Sequence, residues 1–291
     1  MINVQRIETS LRIIYASAKL ENERPLSAVI IAPSDAGKSQ LIMRARPAWG
    51  KVMNDFTYMT LIENLSELYD SGKGPKHTTL IVPDFNAVIG HRASVSTLTS
   101  SVLLALLAEG LSEIPGIDGQ TKLRVQMLKD CGITASLITG VTPEMFASKR
   151  GKWRQTGLLR RLLPVNYTYR PQSVSLISRS IEKGKDRIDY SPDYYKYPSK
   201  TATVTIPDDI AKDINLISER SLGNLCWRHA NKDGRYVSVR AQELPFSLHK
   251  CFRVFCKSSA WMHGDKQVKP RDVEQLEDFS SFVRYDRPEE I

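Results

Sequence analysis

Eight consecutive residues hold the densest chemistry in this chain: Ala32-Pro33-Ser34-Asp35-Ala36-Gly37-Lys38-Ser39, a small residue, four free positions and then Gly-Lys-Ser. Between a strand and a helix, a loop of this spacing turns successive main-chain N–H groups inward and forms a concave nest sized for a polyphosphate. Negative charge is then held without matching side chains. Lys38 adds a point charge for the β and γ phosphates, and the Ser39 hydroxyl suits a Mg²⁺ ion that keeps several waters. Gly37 lets the backbone approach closely, and Asp35 tolerates the left-handed conformation a tight loop needs. The expected ligand is ATP with Mg²⁺, and Pro33, Ser34, Asp35, Ala36, Gly37, Lys38, Ser39 and Gln40 are the candidate binding residues. The bland alternative is an ordinary strand-to-helix turn.

A second group falls at Asp84, directly after the apolar run Leu80-Ile81-Val82 and Pro83. A carboxylate at the C-terminal end of a strand is well placed to organise Mg²⁺ or its waters beside such a loop. Phe85 follows it, where many ATPases carry a Glu that orients the attacking water. That role then falls to Asn86 or Glu109, with Glu109 preferred. Asp84 capping a turn and Glu109 ending a solvated helix are the structural alternatives.

These residues need a scaffold, and the pattern supplies one. Short apolar runs at 27–32, 51–58, 78–82, 135–140 and 162–169 read as strands, and helical spacing recurs at 3–20, 38–46, 61–69 and 97–110. Strands that are continuously apolar and alternate with helices indicate a parallel sheet covered on both faces. The expected fold is α/β, a three-layer P-loop sheet followed by a smaller, mostly helical domain. The region before the fourth strand, with several Gly and Ile residues, reads as a hairpin insertion. The expected organisation is a P-loop core with an N-terminal helix at 1–170, a linker or insertion at 171–204, and a helical domain at 205–291.

From the loop to Val165 the order of elements resembles the AAA+ branch of P-loop ATPases, and more narrowly the group of MCM helicases and MoxR-type ATPases. Leu137-Ile138-Thr139-Gly140-Val141-Thr142-Pro143 is similar to that family's fourth strand ending in a polar sensor. The resemblance assigns γ-phosphate sensing to Thr142, with Thr139 as the second choice. Leu158-Leu159-Arg160-Arg161-Leu162-Leu163-Pro164 resembles the segment that carries an arginine finger, which aligns Arg161 with it. A guanidinium is planar and always charged, so it neutralises charge on a transferring phosphoryl group. In this family it comes from a neighbouring subunit, which implies a homo-oligomeric ring or spiral, most often a hexamer. The stretch from Phe252 through Gly264 to Val273 resembles the family's lid. Its nucleotide-sensing Arg position falls on Ser247, leaving Lys250 or Arg253 to substitute.

Composition narrows the function classes. Of 291 residues 41% are hydrophobic and 25% charged, the balance of a globular protein rather than a disordered or fibrous one. The longest purely apolar run, Val102 to Ala108, is far short of the roughly 20 residues that span a bilayer, and Arg6, Glu8 and Arg12 interrupt any leader-like stretch. Four cysteines with no C-x-x-C pair favour a cytoplasmic setting, and Cys226, His229, Cys251, Cys256 and His263 make a poor zinc signal. A net charge of +9 favours a polyanionic partner. Lys149, Arg150, Lys152, Arg154, Arg160 and Arg161 surround Trp153, a combination that tracks a phosphate backbone while stacking a base, or forms a subunit contact. The expectation is an Mg²⁺/ATP-dependent AAA+ ATPase acting on nucleic acid in replication, recombination, transposition or defence, with a mobile-element or viral source. The alternatives are a MoxR-like remodeller of a protein partner and a slow nucleotide-gated scaffold.

Overall fold

The computed structural model describes residues 4–70, 77–89, 93–108, 119–130, 134–183, 195–230, 236–240 and 246–291. In chain order the elements are α1 (Gln5–Ala16), β1 (Ala28–Ile31), α2 (Lys38–Arg44), β2 (Gly50–Val52), α3 (Tyr58–Asp70), β3 (His77–Val82) and the single turn α4 (Asn86–Ile89). They continue as α5 (Ala93–Ala108), α6 (Gly119–Asp130), β4 (Thr134–Val141), α7 (Pro143–Thr156), β5 (Leu163–Thr168) and α8 (Pro171–Glu182). The last are α9 (Asp208–Leu222), β6 (Cys226–Ala230), β7 (Tyr236–Arg240), α10 (Phe246–Met262), α11 (Pro270–Ser280) and β8 (Glu289–Glu290).

Six strands form one parallel sheet in the order β2-β3-β4-β1-β5-β8. Every residue of β1 is buried, as are the last five of β3 and the last seven of β4. Burial on both faces is why these strands read as unbroken apolar runs instead of alternating ones. The chain leaves β1, crosses to β2, returns through β3 and β4, and passes over β1 to reach β5. Neighbouring connections therefore diverge beside β1, and their divergence opens a crevice at the C-terminal ends of β1 and β4. Pro164 pairs with Val29, and its missing N–H is tolerated because β8 covers the free side of β5 only at Tyr167 and Thr168.

The helices α1, α9, α10 and α11 pack together, and α1 also rests on α2. Ile7, Leu11 and Ile14 of α1 are fully buried, while Arg6 reaches the far end of α11 to meet Asp278 at 2.9 Å. The N-terminal helix thus joins the helical layer to the sheet domain. Residues 195–202 form a strap: the Tyr195 N–H donates to the Arg46 carbonyl, the Tyr197 hydroxyl donates to the Ala45 carbonyl, and Ala202 bridges Leu20.

Several expectations change. The second strand ends at Val52, because Asn54 and Asp55 turn out to solvent and Thr57 pairs with Thr60 to start α3. The expected hairpin insertion contains a helix, α6, which packs on α3 and sets Arg124 against Glu63 at 3.3 Å. Residues 171–182 are helical. The C-terminal part is not helical throughout, since β6 and β7 form an antiparallel pair and β8 joins the main sheet. Among the described residues no helix is long and apolar enough to cross a membrane.

Candidate functional site

The loop between β1 and α2 lies where the crevice opens. Asp35 and Gly37 both take the left-handed conformation, at φ 61° and 75°. Ala36 between them is buried, whereas Pro33, Ser34, Asp35 and Ser39 face solvent. Alternation of this kind turns neighbouring N–H groups the same way, which makes an anion-sized concavity. The Lys38 ammonium arches back over the loop and donates to the carbonyls of Ala32 at 2.8 Å and Pro33 at 2.7 Å. Partial burial pulls the Lys38 pKa below its ordinary value, while Asp84, Asp35 and Glu144 push the other way.

The third strand delivers its carboxylate to the same place. The Ser39 hydroxyl donates to the Pro83 carbonyl at 3.4 Å, so the last residue of the loop motif touches the residue before Asp84. Asp84 is exposed, and its Oδ1 accepts the Asn86 N–H at 2.9 Å. Close approach of loop, helix and strand requires a glycine in β4: a Cβ on Gly140 would lie 2.9 Å from the Pro83 carbonyl and 3.5 Å from the Lys38 Cβ. A lone glycine inside an apolar strand is the sequence signal for such an approach.

Phe85 is buried and packs against Trp153, with ring centroids 5.9 Å apart, and its N–H donates to the Gly140 carbonyl at 3.0 Å. The position that would carry a water-orienting Glu therefore faces the core. The Asn86 Oδ1 is buried without a hydrogen-bond partner among the described residues, an acceptor two residues from Asp84. Glu109 lies outside the described residues.

At the end of β4 the two threonines separate. Thr139 is fully buried and donates to the Val82 carbonyl at 2.7 Å, which ties β4 to β3. Thr142 is half-buried and caps α7, its Oγ1 accepting the Met145 N–H at 3.3 Å. Arg161 stands just before β5, at the opposite end of the sheet and beyond β1 from β4, where its guanidinium donates to its own chain's Gly157 carbonyl at 2.9 Å. Of the lid candidates, Lys250 is exposed while Ser247 and Arg253 are half-buried on α10.

Two cations of the basic stretch, both on α7, are committed within the chain, whereas Lys152 and Arg160 are exposed. Trp153 is buried and packs against Phe85 and Phe146. Arg150 donates to Asp286 at 3.0 Å and to the Arg228 carbonyl, and stacks on Trp227; Arg154 donates to the Arg240 carbonyl at 2.8 Å. Both guanidiniums hold the β6–β7 pair. Burial pushes the Cys251 thiol up to about 11 and that of Cys256 higher still, so neither is a ready thiolate, and no group of three or more metal-binding side chains gathers among the described residues.

Sequence reasoning missed Tyr167 and Tyr169. Both hydroxyls converge on the Ala36 carbonyl of the loop, at 2.7 and 3.3 Å. Their i, i+2 spacing at the end of a strand beside β1 places them on one face, and a buried tyrosine hydroxyl requires a partner.

No family model matches the sequence, and no curated protein does either. Among solved structures the chain is similar to a full-length MCM homolog from Methanopyrus kandleri, with 11% sequence identity and a TM-score of 0.50. The match covers 97% of this chain and 56% of that one, so this chain spans little more than half of that protein's length. At that identity the likeness shows the fold alone, an α/β arrangement of a six-stranded parallel sheet with helices, followed by a smaller, mostly helical part.

Proposed function

We propose that this chain binds a nucleoside triphosphate with Mg²⁺ at residues 33–40 and hydrolyses it in a homo-oligomer that acts on nucleic acid. The observation that carries the reading is the meeting of Lys38 and Ser39 with Asp84 at the C-terminal end of the sheet, beside a loop with two left-handed residues. The residues fit such a ligand. The loop is open to solvent, its ammonium is held only by carbonyls that a phosphate oxygen can replace, and a hydroxyl and a carboxylate approach from two elements.

In this reading the N–H groups of residues 34–40 and the Lys38 ammonium hold the phosphates. The Ser39 hydroxyl and Asp84 hold Mg²⁺, directly or through its waters, and the bound ion supplies charge neutralisation at the phosphoryl oxygens. Thr142, already fixed at the head of α7, contacts the terminal phosphate. Arg161 leaves Gly157 and serves the site of an adjacent subunit, while Glu109 or Asn86 orients the water. The net charge of +9 supports a nucleic-acid partner.

ATP turnover measured against protein concentration, with and without DNA over a range of salt, tests this reading. The expected outcome is a specific activity that rises with concentration and with DNA, and a DNA effect that weakens as salt rises. Arg161→Ala should keep nucleotide affinity and lose the concentration-dependent turnover. A flat rate that ignores both DNA and Arg161 would contradict it. Phe85 favours a second reading, a slow nucleotide-gated scaffold, because an apolar core residue stands where the water-orienting carboxylate usually sits. Single-turnover hydrolysis far slower than nucleotide-driven assembly would select it.

A further inference from the structure

Two phenols reach one carbonyl in the loop. Tyr167 is fully buried at the end of β5 and Tyr169 is half-buried just beyond it, yet both donate to the Ala36 oxygen, 131 and 133 residues away in sequence. Burial raises both hydroxyls' pKa values, so each stays protonated and able to donate. The rings also brace each other edge to face, with centroids 6.1 Å apart. The strand that carries them is fixed on one side by β1 and on the other by β8, whose next residue, Ile291, donates to the Thr168 carbonyl at 2.9 Å.

The consequence follows from peptide geometry. In a planar trans peptide the carbonyl and the following N–H point in opposite directions, and the chain contains no cis peptide among the described residues. Holding the Ala36 oxygen toward β5 therefore aims the Gly37 N–H away from β5. Gly37 stands immediately before Lys38, with φ at 75°, a region that glycine shares freely with its mirror image and in which it has no side chain to fix it. Something outside the residue must choose the orientation, and the two hydroxyls do so.

We propose that Tyr167 and Tyr169 are positioning residues that preset the Ala36–Gly37 peptide so that its N–H faces the phosphate site. The proposal rests on the reading of residues 33–40 as a triphosphate site, and it adds a determinant that lies outside the loop. Its energetic content is pre-organisation: a loop held in the receiving conformation before the ligand arrives spends none of the binding energy on ordering.

The test is the affinity of the full chain for inorganic tripolyphosphate and for Mg-ATP, in wild type, Tyr167→Phe, Tyr169→Phe and Tyr285→Phe. Tyr285 is the control, a buried phenol that donates to the Leu159 carbonyl at 3.3 Å and does not bond to the loop. Tyr167→Phe should weaken both ligands about tenfold, the value of one good hydrogen bond, and Tyr169→Phe about threefold. Tyr285→Phe should lower the melting temperature without changing either affinity. Should Tyr167→Phe fail to fold, the half-buried Tyr169→Phe decides alone. Tyrosine-to-phenylalanine variants that bind as wild type overturn the proposal and leave the loop reading standing, as does an equal loss of affinity in Tyr285→Phe. A wild-type chain that binds neither probe overturns both.

Discussion

Two regions of this molecule place positive charge on a helix, Lys38 at the first residue of α2 and Arg150 and Arg154 in the second half of α7, and they use it differently. At the phosphate loop one ammonium, Lys38, is held by two carbonyls at a solvent-open edge with carboxylates from three places nearby. On α7 the guanidiniums of Arg150 and Arg154 are committed to the chain's own carbonyls and to Asp286. The lesson is that charge density in a sequence does not show which cations are committed within the chain. What separates the two is whether the cation's partners are replaceable. Carbonyls at a loop open to solvent can be satisfied by water once the ammonium leaves, whereas removing Arg150 takes a donor from a strand carbonyl and leaves Asp286 with the Arg228 N–H.

Substitutions can break that comparison, beginning with the largest effect. Trp153→Ala should lower stability by about 3–5 kcal/mol, the range for emptying a buried aromatic site, as read in urea unfolding. A loss of DNA affinity with unchanged stability would instead restore Trp153 as a stacking residue. Lys38→Ala should weaken Mg-ATP at least about 100-fold, about 2.7 kcal/mol, with the melting temperature unaltered. Arg150→Ala should show the reverse profile, a stability loss of about 1.5–3 kcal/mol from a charged hydrogen-bond partner and an unchanged nucleotide affinity. Thr142→Ala should cost about 1 kcal/mol as a lost helix cap, measured in the same unfolding series. A fall in turnover that Thr142→Asn, a capping residue too, does not rescue would sharpen the division between cap and sensor.

Much of the frame was legible because local composition decides it. Val29, Ile30, Leu80, Ile81, Leu137 and Ile138 belong to strands buried on both faces, and such strands announce themselves without any long-range information. Lys38, Ser39 and Asp84 were legible for a similar reason, since the motif spacing and the end of an apolar run fix their places. What stayed hidden depends on distant partners. The strand Cys226–Ala230 is mixed in polarity and is held by Arg150 and Asp286, which no local pattern reveals. The core position of Phe85 depends on Trp153 in α7, and the tyrosine pair depends on a carbonyl more than 130 residues upstream. The commitments of Arg150 and Arg154 were hidden for the same reason, because their partners lie more than 70 residues downstream.

The central claim is that the loop at residues 33–40 grips a polyphosphate, and calorimetric titration of the purified chain with Mg-ATP tests it most directly. The account predicts one saturable site per chain, lost in Lys38→Ala while the fold is retained. No saturable binding of ATP or GTP in the presence of magnesium, or binding that survives Lys38→Ala undiminished, would contradict it.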